Sequence, residues 1–174
     1  MSALHDAIAP HLVTKHPWQL AYATSDTAQA IKTYGELYNC PKFWTRDPFA
    51  VRVSTPKGPG ILNLLISFAY LGDVCIEFVE PLLEGDSGIY SSVLPEEGFG
   101  LVIHHLGYLI GGEMDDWRKF RSRIPDDLVL LEGGVGDDRR FLYLDTRAQL
   151  GHYIEYVWFR PEHRDEFEAS VPRN

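Results

Sequence analysis

Two short stretches of this chain are built alike and placed alike. Ile76-Glu77-Phe78-Val79 and Ile154-Glu155-Tyr156-Val157 each set a glutamate inside a run of branched and aromatic residues that otherwise reads as a strand. Each has a matching upstream partner, Gln19-Leu20-Ala21-Tyr22 for the first and His105-Leu106-Gly107-Tyr108 for the second. Gln19 to Glu77 spans 58 positions and His105 to Glu155 spans 50, a difference that one loop absorbs. The interval is too long for a solenoid repeat. Two copies of it predict a pair of modules related by a pseudo-twofold axis.

The order of elements between these markers repeats as well. WQLAYAT reads as a strand and SDTAQAIKTYGELYN as a capped amphipathic helix ending near Asn39 and Pro41. KFWTR, AVRVST, ILNLLISFAYL and DVCIEFVEP follow as strands, separated by RDP, PKGPG and LGD turns. LEGDSGIYSSVLPEEGFG is a connection with a short helix around Ile89 to Val93. LVIHHLGYLI (strand), GEMDDWRKFRSRI (helix) and then DLVLLEG, RFLYLDT and HYIEYVWF (strands) repeat the order. Residues 3–12 suggest one weak helix, and the tail PEHRDEFEASVPRN another. The expected layout is one α+β domain: an extension over 1–16, a first module over 17–82, a connection over 83–99, a second module over 100–160 and a tail over 161–174.

Composition narrows the function classes. A chain of 174 residues, 45% of them apolar, buries a core without disulfide or metal staples. The 25 acidic and 16 basic residues give a formal charge of -9 with no basic patch, which argues against nucleic acid and anionic membranes as partners. Cys40 and Cys75 are too few for a disulfide framework and read as reduced thiols, the pattern of a cytoplasmic protein. The start, MSALHDAIAPHLVTKHP, lacks the features of a secretion signal, and no apolar run approaches a membrane span.

The paired glutamates carry the chemistry. A strand sends alternate residues to alternate faces, so Glu77 shares a face with Cys75 and Val79, and Glu155 with Tyr153, Val157 and Phe159. If those faces turn inward, two carboxylates enter an apolar interior, at a cost of several kcal/mol each unless compensated. On the opening strands Gln19 shares a face with Ala21 and Ala23, and His105 with Gly107 and Leu109. A carboxamide oxygen, an imidazole nitrogen and two carboxylates form a donor set for one divalent cation. The competing reading turns both glutamates outward to solvent on one-sided sheets, which suits either residue alone better than four matched positions.

Parity sets other polar residues aside. His104 and His152 face away from their neighbouring site residues, and His5, His11 and His16 lie in the weakly patterned start. Glu80 begins a turn with Pro81, LEGGVGDD reads as a hairpin connection, and the four tryptophans read mainly as core. Trp44, Phe49 and Tyr153 are candidates to line an apolar substrate pocket. Arg46, Arg52, Lys57, Arg139 and Arg140 are candidate anchors for an anionic substrate, weighed against an ordinary role as solvated charges.

The openings WQLAYATSD and IHHLGYLI and the closings CIEFVEP and YIEYVWF resemble the vicinal oxygen chelate superfamily, over about residues 17–160. That family includes glyoxalase I, methylmalonyl-CoA epimerase, extradiol dioxygenases and bleomycin resistance proteins. The resemblance implies two βαβββ modules forming a cupped, barrel-like sheet with helices outside. It implies metal ligands at Gln19, Glu77, His105 and Glu155. The order Gln, Glu, His, Glu is similar to that of animal-type glyoxalase I, and EFVEPLLEGDSGIYSSVL is similar to the epimerase-like branch. The implied activity is that of a metal-dependent lyase or isomerase moving a proton at a carbon beside vicinal oxygens, through a metal-stabilised enediolate, with Glu155 as the base. An apolar surround would raise the pKa of that base. The cofactor is one divalent ion, Zn, Ni, Co, Mn or Fe, and the partner a small-molecule substrate held by Trp44, Phe49, Tyr153 and Arg52. Family members often dimerise, so a homodimer is compatible. Gln19 in place of a histidine argues against a ring-cleaving dioxygenase. Asp47, beside Pro48, is a poor second base for two-base epimerisation. The alternative from another class is a binding protein of the bleomycin resistance kind, without chemistry.

Overall fold

The computed structural model describes residues 16–82 and 88–174. The helix expected over 3–12, His5 and His11, and the first part of the connection lie outside the described residues. The chain order is β1 (Gln19–Thr24), α1 (Thr27–Tyr38), β2 (Trp44–Thr55), β3 (Gly58–Leu71), β4 (Val74–Pro81), α2 (Gly88–Ser91), β5 (Leu101–Ile110), α3 (Met114–Arg121), β6 (Val129–Val135), β7 (Arg139–Leu144), α4 (Arg147–Leu150), β8 (Tyr153–Phe159) and α5 (Pro161–Ser170). β1 to β4 with α1 form one βαβββ module, and β5 to β8 with α3 form the other. The tail is helical as expected, with a proline in its first turn where a missing N–H costs nothing.

The eight strands close into one barrel in the order β1, β4, β3, β2, β6, β7, β8, β5. Within each module the first and last strands run parallel, β1 beside β4 and β5 beside β8. Their registers agree: Gln19 pairs with Cys75 and Ala21 with Glu77, as His105 pairs with Tyr153 and Gly107 with Glu155. The modules meet at two seams. Across β1 and β5 the pairing is reciprocal, Gln19 with Gly107 and Ala21 with His105, as a twofold axis between them requires. The β2 to β6 seam is shorter, holding Val53 opposite Gly133 and Ser54 opposite Glu132.

Burial on both faces explains why the closing strands read as nearly continuous apolar runs. Every residue of β8 is buried. Tyr153, Val157 and Phe159 join the barrel interior, while Ile154, Tyr156 and Trp158 pack outside against Trp117 and Phe120 of α3. The first module repeats this, with Ile76 and Phe78 of β4 packed against Ala30 and Tyr34 of α1. Helix α1 starts because the Asp26 carboxylate accepts a hydrogen bond from the Gln29 N–H at 2.9 Å, and it stops at Asn39 in the left-handed region. The Glu80 carboxylate, expected only to begin a turn, accepts from the Thr27 N–H at 2.8 Å and ties β4 to the start of that helix.

Strand boundaries differ from expectation in three places, two of them because β3 begins at Gly58, inside PKGPG, and β6 runs to Val135, inside LEGGVGDD. KFWTR and AVRVST are not two strands but one, β2, whose register with β3 shifts between Arg46 and Phe49. Pro48 has no N–H to give the ladder, so the chain bulges there and continues. Among the described residues no helix is long and apolar enough to cross a membrane. Cys40 and Cys75 are free and buried.

Candidate metal centre

The inward faces of the parallel strand pairs meet at the middle of the barrel. Glu77, His105 and Glu155 come together there, and all three are buried. His105 Nε2 lies 3.2 Å from Glu77 Oε2 and 3.3 Å from Glu155 Oε2, so one nitrogen receives a carboxylate from each module. The Tyr143 hydroxyl approaches the same nitrogen at 3.4 Å and is itself 2.9 Å from the Tyr90 hydroxyl.

Gln19, the fourth expected ligand, is also buried, one register step away. Its side chain lies over Gly107, where an added Cβ would stand 2.6 Å from Gln19 Oε1 and 2.9 Å from Gln19 Cβ. Gly107 pairs with Glu155 on its other side. The absent side chain of Gly107 therefore makes room for the Gln19 carboxamide itself.

The charges explain one another. Burial alone would lower the pKa of His105, but the two carboxylates outweigh it and push it up to about 9. Burial raises Glu77, against the pull of His105, with Glu155 adding to the rise. A proton on His105 thus offsets one carboxylate charge at neutral pH.

A second histidine orients the first. His104 Nε2 is 3.0 Å from the Ile89 carbonyl and His104 Nδ1 is 2.9 Å from His105 Nδ1. A carbonyl only accepts, so His104 carries its proton on Nε2 and presents a bare Nδ1. Burial, then the charge on His105, holds His104 well below the ordinary imidazole range and keeps it neutral. His105 must donate from Nδ1, which leaves its Nε2 aimed at the carboxylates in either protonation state. Strand parity placed His104 on the opposite face. The structure corrects this: β5 pairs Ala21 with His105 and Tyr22 with Ile103, so His104 is the extra residue of a β-bulge. The bulge turns both histidines toward the interior, where His104 stacks on Tyr90 with ring centroids 4.4 Å apart. The doubled histidine was the signal available in the sequence.

The donor set suits a divalent cation. Two ligands bound to one ion at 2.0–2.2 Å stand roughly 2.8–3.6 Å apart, and both nitrogen-to-carboxylate separations fall inside that range. Three oxygens surround a nitrogen that has at most one proton to share. Among the described residues no group of three or more His, Cys, Asp and Glu side chains is arranged to hold a metal ion, and the two carboxylates lie against the imidazole. Glu77, His105 and Glu155 are the groups that could hold an ion, with the Gln19 carboxamide beside them on β1.

The substrate-lining candidates divide. Trp44 and Phe49 line a cavity of about 320 Å³ together with Arg46, Phe68, Arg139 and Phe159. Tyr153 does not: it is buried against His104, at 4.7 Å between ring centroids, and under Arg147. Arg52 is exposed on β2 and outside the cavity lining. None of the four expected ligands lines the cavity either, but its wall touches their strands. Phe68 pairs in register with Glu77, and Phe159 shares the inward face of Glu155.

Two βαβββ modules joined in one closed sheet, with the first and last strands of each side by side, decide the architecture. The fold is the α+β arrangement expected from the sequence, a cupped, closed sheet of paired modules. The sequence matches no protein-family model and no curated protein. Solved structures similar to it include methylmalonyl-CoA epimerase of Streptomyces coelicolor in complex with 2-nitronate-propionyl-CoA, at 18% identity and a TM-score of 0.49, covering 83% of this chain and 97% of that one. Methylmalonyl-CoA epimerase of Mycobacterium tuberculosis is similar at 18% identity and a TM-score of 0.48, over 84% and 89% of the two chains. A variant of 4-hydroxymandelate synthase from Streptomyces coelicolor is similar at 10% identity and a TM-score of 0.43, over 86% of this chain and 52% of that one.

Proposed function

We propose that this protein is a metal-dependent isomerase or lyase of the glyoxalase type, which moves a proton at a carbon beside two vicinal oxygens. The observation that carries the reading is the buried meeting of one carboxylate from each module on His105 Nε2. A divalent ion held there by Glu77, His105 and Glu155 would supply Lewis acidity toward the substrate oxygens. Glu155 takes the proton from carbon and returns it. Glu77, 3.2 Å from the same nitrogen, balances charge. His104 keeps the imidazole in the tautomer that faces the carboxylates, and the aromatic wall of Trp44, Phe68 and Phe159 keeps water from the reacting carbon.

Elemental analysis of the purified protein, paired with solvent-deuterium exchange into candidate substrates, tests this reading. The candidates are the hemithioacetal of methylglyoxal with glutathione and a 2-methylmalonyl thioester. One divalent ion per chain and exchange lost in Glu155→Gln, with folding and metal retained, are expected. Exchange undiminished in Glu155→Gln removes that residue as the base. A chain that binds no stoichiometric metal and gains no melting temperature from divalent ions is a binding protein instead.

A further inference from the structure

We infer that the cavity beside the metal centre binds a small ligand with an apolar, ring-sized body and an oxyanion, carboxylate or phosphate, gripped by Arg46 and Arg139. The inference deepens the substrate class of the proposed function and so rests on that reading for its catalytic meaning, though not for binding.

Burial sets the two guanidiniums apart, since the other arginines without an ion pair among the described residues, Arg52, Arg123 and Arg173, are exposed. Arg118, Arg121, Arg140, Arg147, Arg160 and Arg164 each hold a carboxylate. Arg46 and Arg139 have no ion pair among the described residues, although the protein carries a net charge of -9. Both are half-buried and line one cavity. Arg46 lies over the Phe49 ring at 4.1 Å and Arg139 near the Phe159 ring at 5.8 Å, which keeps the planar groups against the cavity wall. The other charged groups of the lining are on α5, where Glu166 sits 3.5 Å from His163 and is turned to it.

Burial and the neighbouring Arg139 both disfavour the charge on Arg46, so the pair stands at a cost that an anion would relieve. Guanidinium groups meet carboxylate and phosphate oxygens with paired N–H donors, and two of them converging define an oxyanion site. Apart from Ser170, the rest of the lining is apolar or aromatic, with Trp44, Phe49, Phe68 and Phe159 offering ring surface to the ligand body. At about 320 Å³ the space is at the small end of ligand pockets and takes one or two fused rings. The geometry also gives a direction. Arg139 lies close enough to lower the pKa of Glu77, and Phe68 pairs with Glu77, so a ligand anchored at the arginines extends toward the carboxylates.

Binding to the full-length, metal-free protein tests this independently of the metal. The probes are 2-naphthoate, 2-naphthyl phosphate and neutral 2-naphthamide, measured by calorimetry and by quenching of tryptophan emission. At least one of the two anions should bind about tenfold or more tighter than the amide, and the better one names the oxyanion. Arg46→Gln and Arg139→Gln should each reduce that preference toward parity while leaving amide binding unchanged, and the control Arg52→Gln, outside the cavity, should keep it. Equal binding of anions and amide, no binding of any probe, or a preference untouched by either substitution overturns the proposal. Metal loss leaves this result standing, and a failure here leaves the metal centre standing, so the two readings fall separately.

Discussion

The two modules share a backbone register and differ in what they hang on it. At the matched position of the opening strand the first module carries Gln19 and the second His105. Gln19 is uncharged and lies on a glycine. His105 is surrounded by its own support: His104 behind it, Tyr143 beside it, and α2, whose Ile89 carbonyl holds His104. The closing strands stayed alike, with one glutamate each. The shared register sets where the donors stand, and the imidazole that faces both carboxylates, with His104 and Tyr143 around it, lies on one side of the axis.

The largest break of this comparison is His105→Ala. It leaves two buried carboxylates facing each other and should destabilise the metal-free protein by about 3–5 kcal/mol in chemical denaturation, whereas Gln19→Ala should cost well under half of that. Equal losses would show that the two positions are equivalent. Adding a divalent ion at a hundredfold excess over its Kd should stabilise the native chain by about 2.7 kcal/mol, and this gain should vanish in His105→Ala and only shrink in Gln19→Ala. His104→Phe keeps the stacked ring but removes the acceptor for His105 Nδ1. Metal affinity should fall about 10- to 100-fold, and His104→Gln, which restores an acceptor, should recover part of it. Nitrogen-15 NMR of the His105 ring should report a mixed tautomer in His104→Phe and a single one in the native protein.

Two smaller effects sharpen the contrast. The pKa of His105 is raised, so its stabilising contribution is complete below pH 6.5 and is lost as pH rises toward about 9. The raised Glu77 acts in the same direction. The melting temperature of the metal-free protein should therefore decline across that window, with the part of the slope that follows the imidazole lost in His105→Ala and the part that follows Glu77 retained. Gly107→Ala, whose Cβ would displace the Gln19 carboxamide, should weaken metal binding severalfold while leaving the His105 pH dependence in place.

How far the sequence carried these conclusions depends on how local each one is. Period-two alternation placed Glu77, Glu155, Gln19 and His105 indoors because strand parity needs no knowledge of neighbours. It failed for His104, since one extra residue in β5 relative to β1 reverses parity and is invisible until the two strands are paired. It failed for the β2 break as well, where Pro48 marks a bulge that the partner strand spans. The role of Glu80 at the helix start depends on a side chain crossing 53 positions, which no window contains. Arg46 and Arg139 were legible only as two of five candidate cations. Their convergence is a product of barrel closure, which brings β2 and β7 to the same rim.

The short β2 to β6 join has a kinetic meaning. Gly133 sits where a Cβ would lie 2.9 Å from the Arg52 carbonyl, so the backbones touch closely over a brief overlap and then part. The cavity is walled from both sides of this join, by Trp44, Arg46 and Phe49 of β2 and by Val135 and Arg139 at the ends of β6 and β7. A closed sheet parts first where its ladder is shortest. Amide exchange should be fastest at Val53, Ser54, Glu132 and Gly133, and a small molecule arriving from solvent would slip in through that crack, so its on-rate would follow the breathing of the barrel wall.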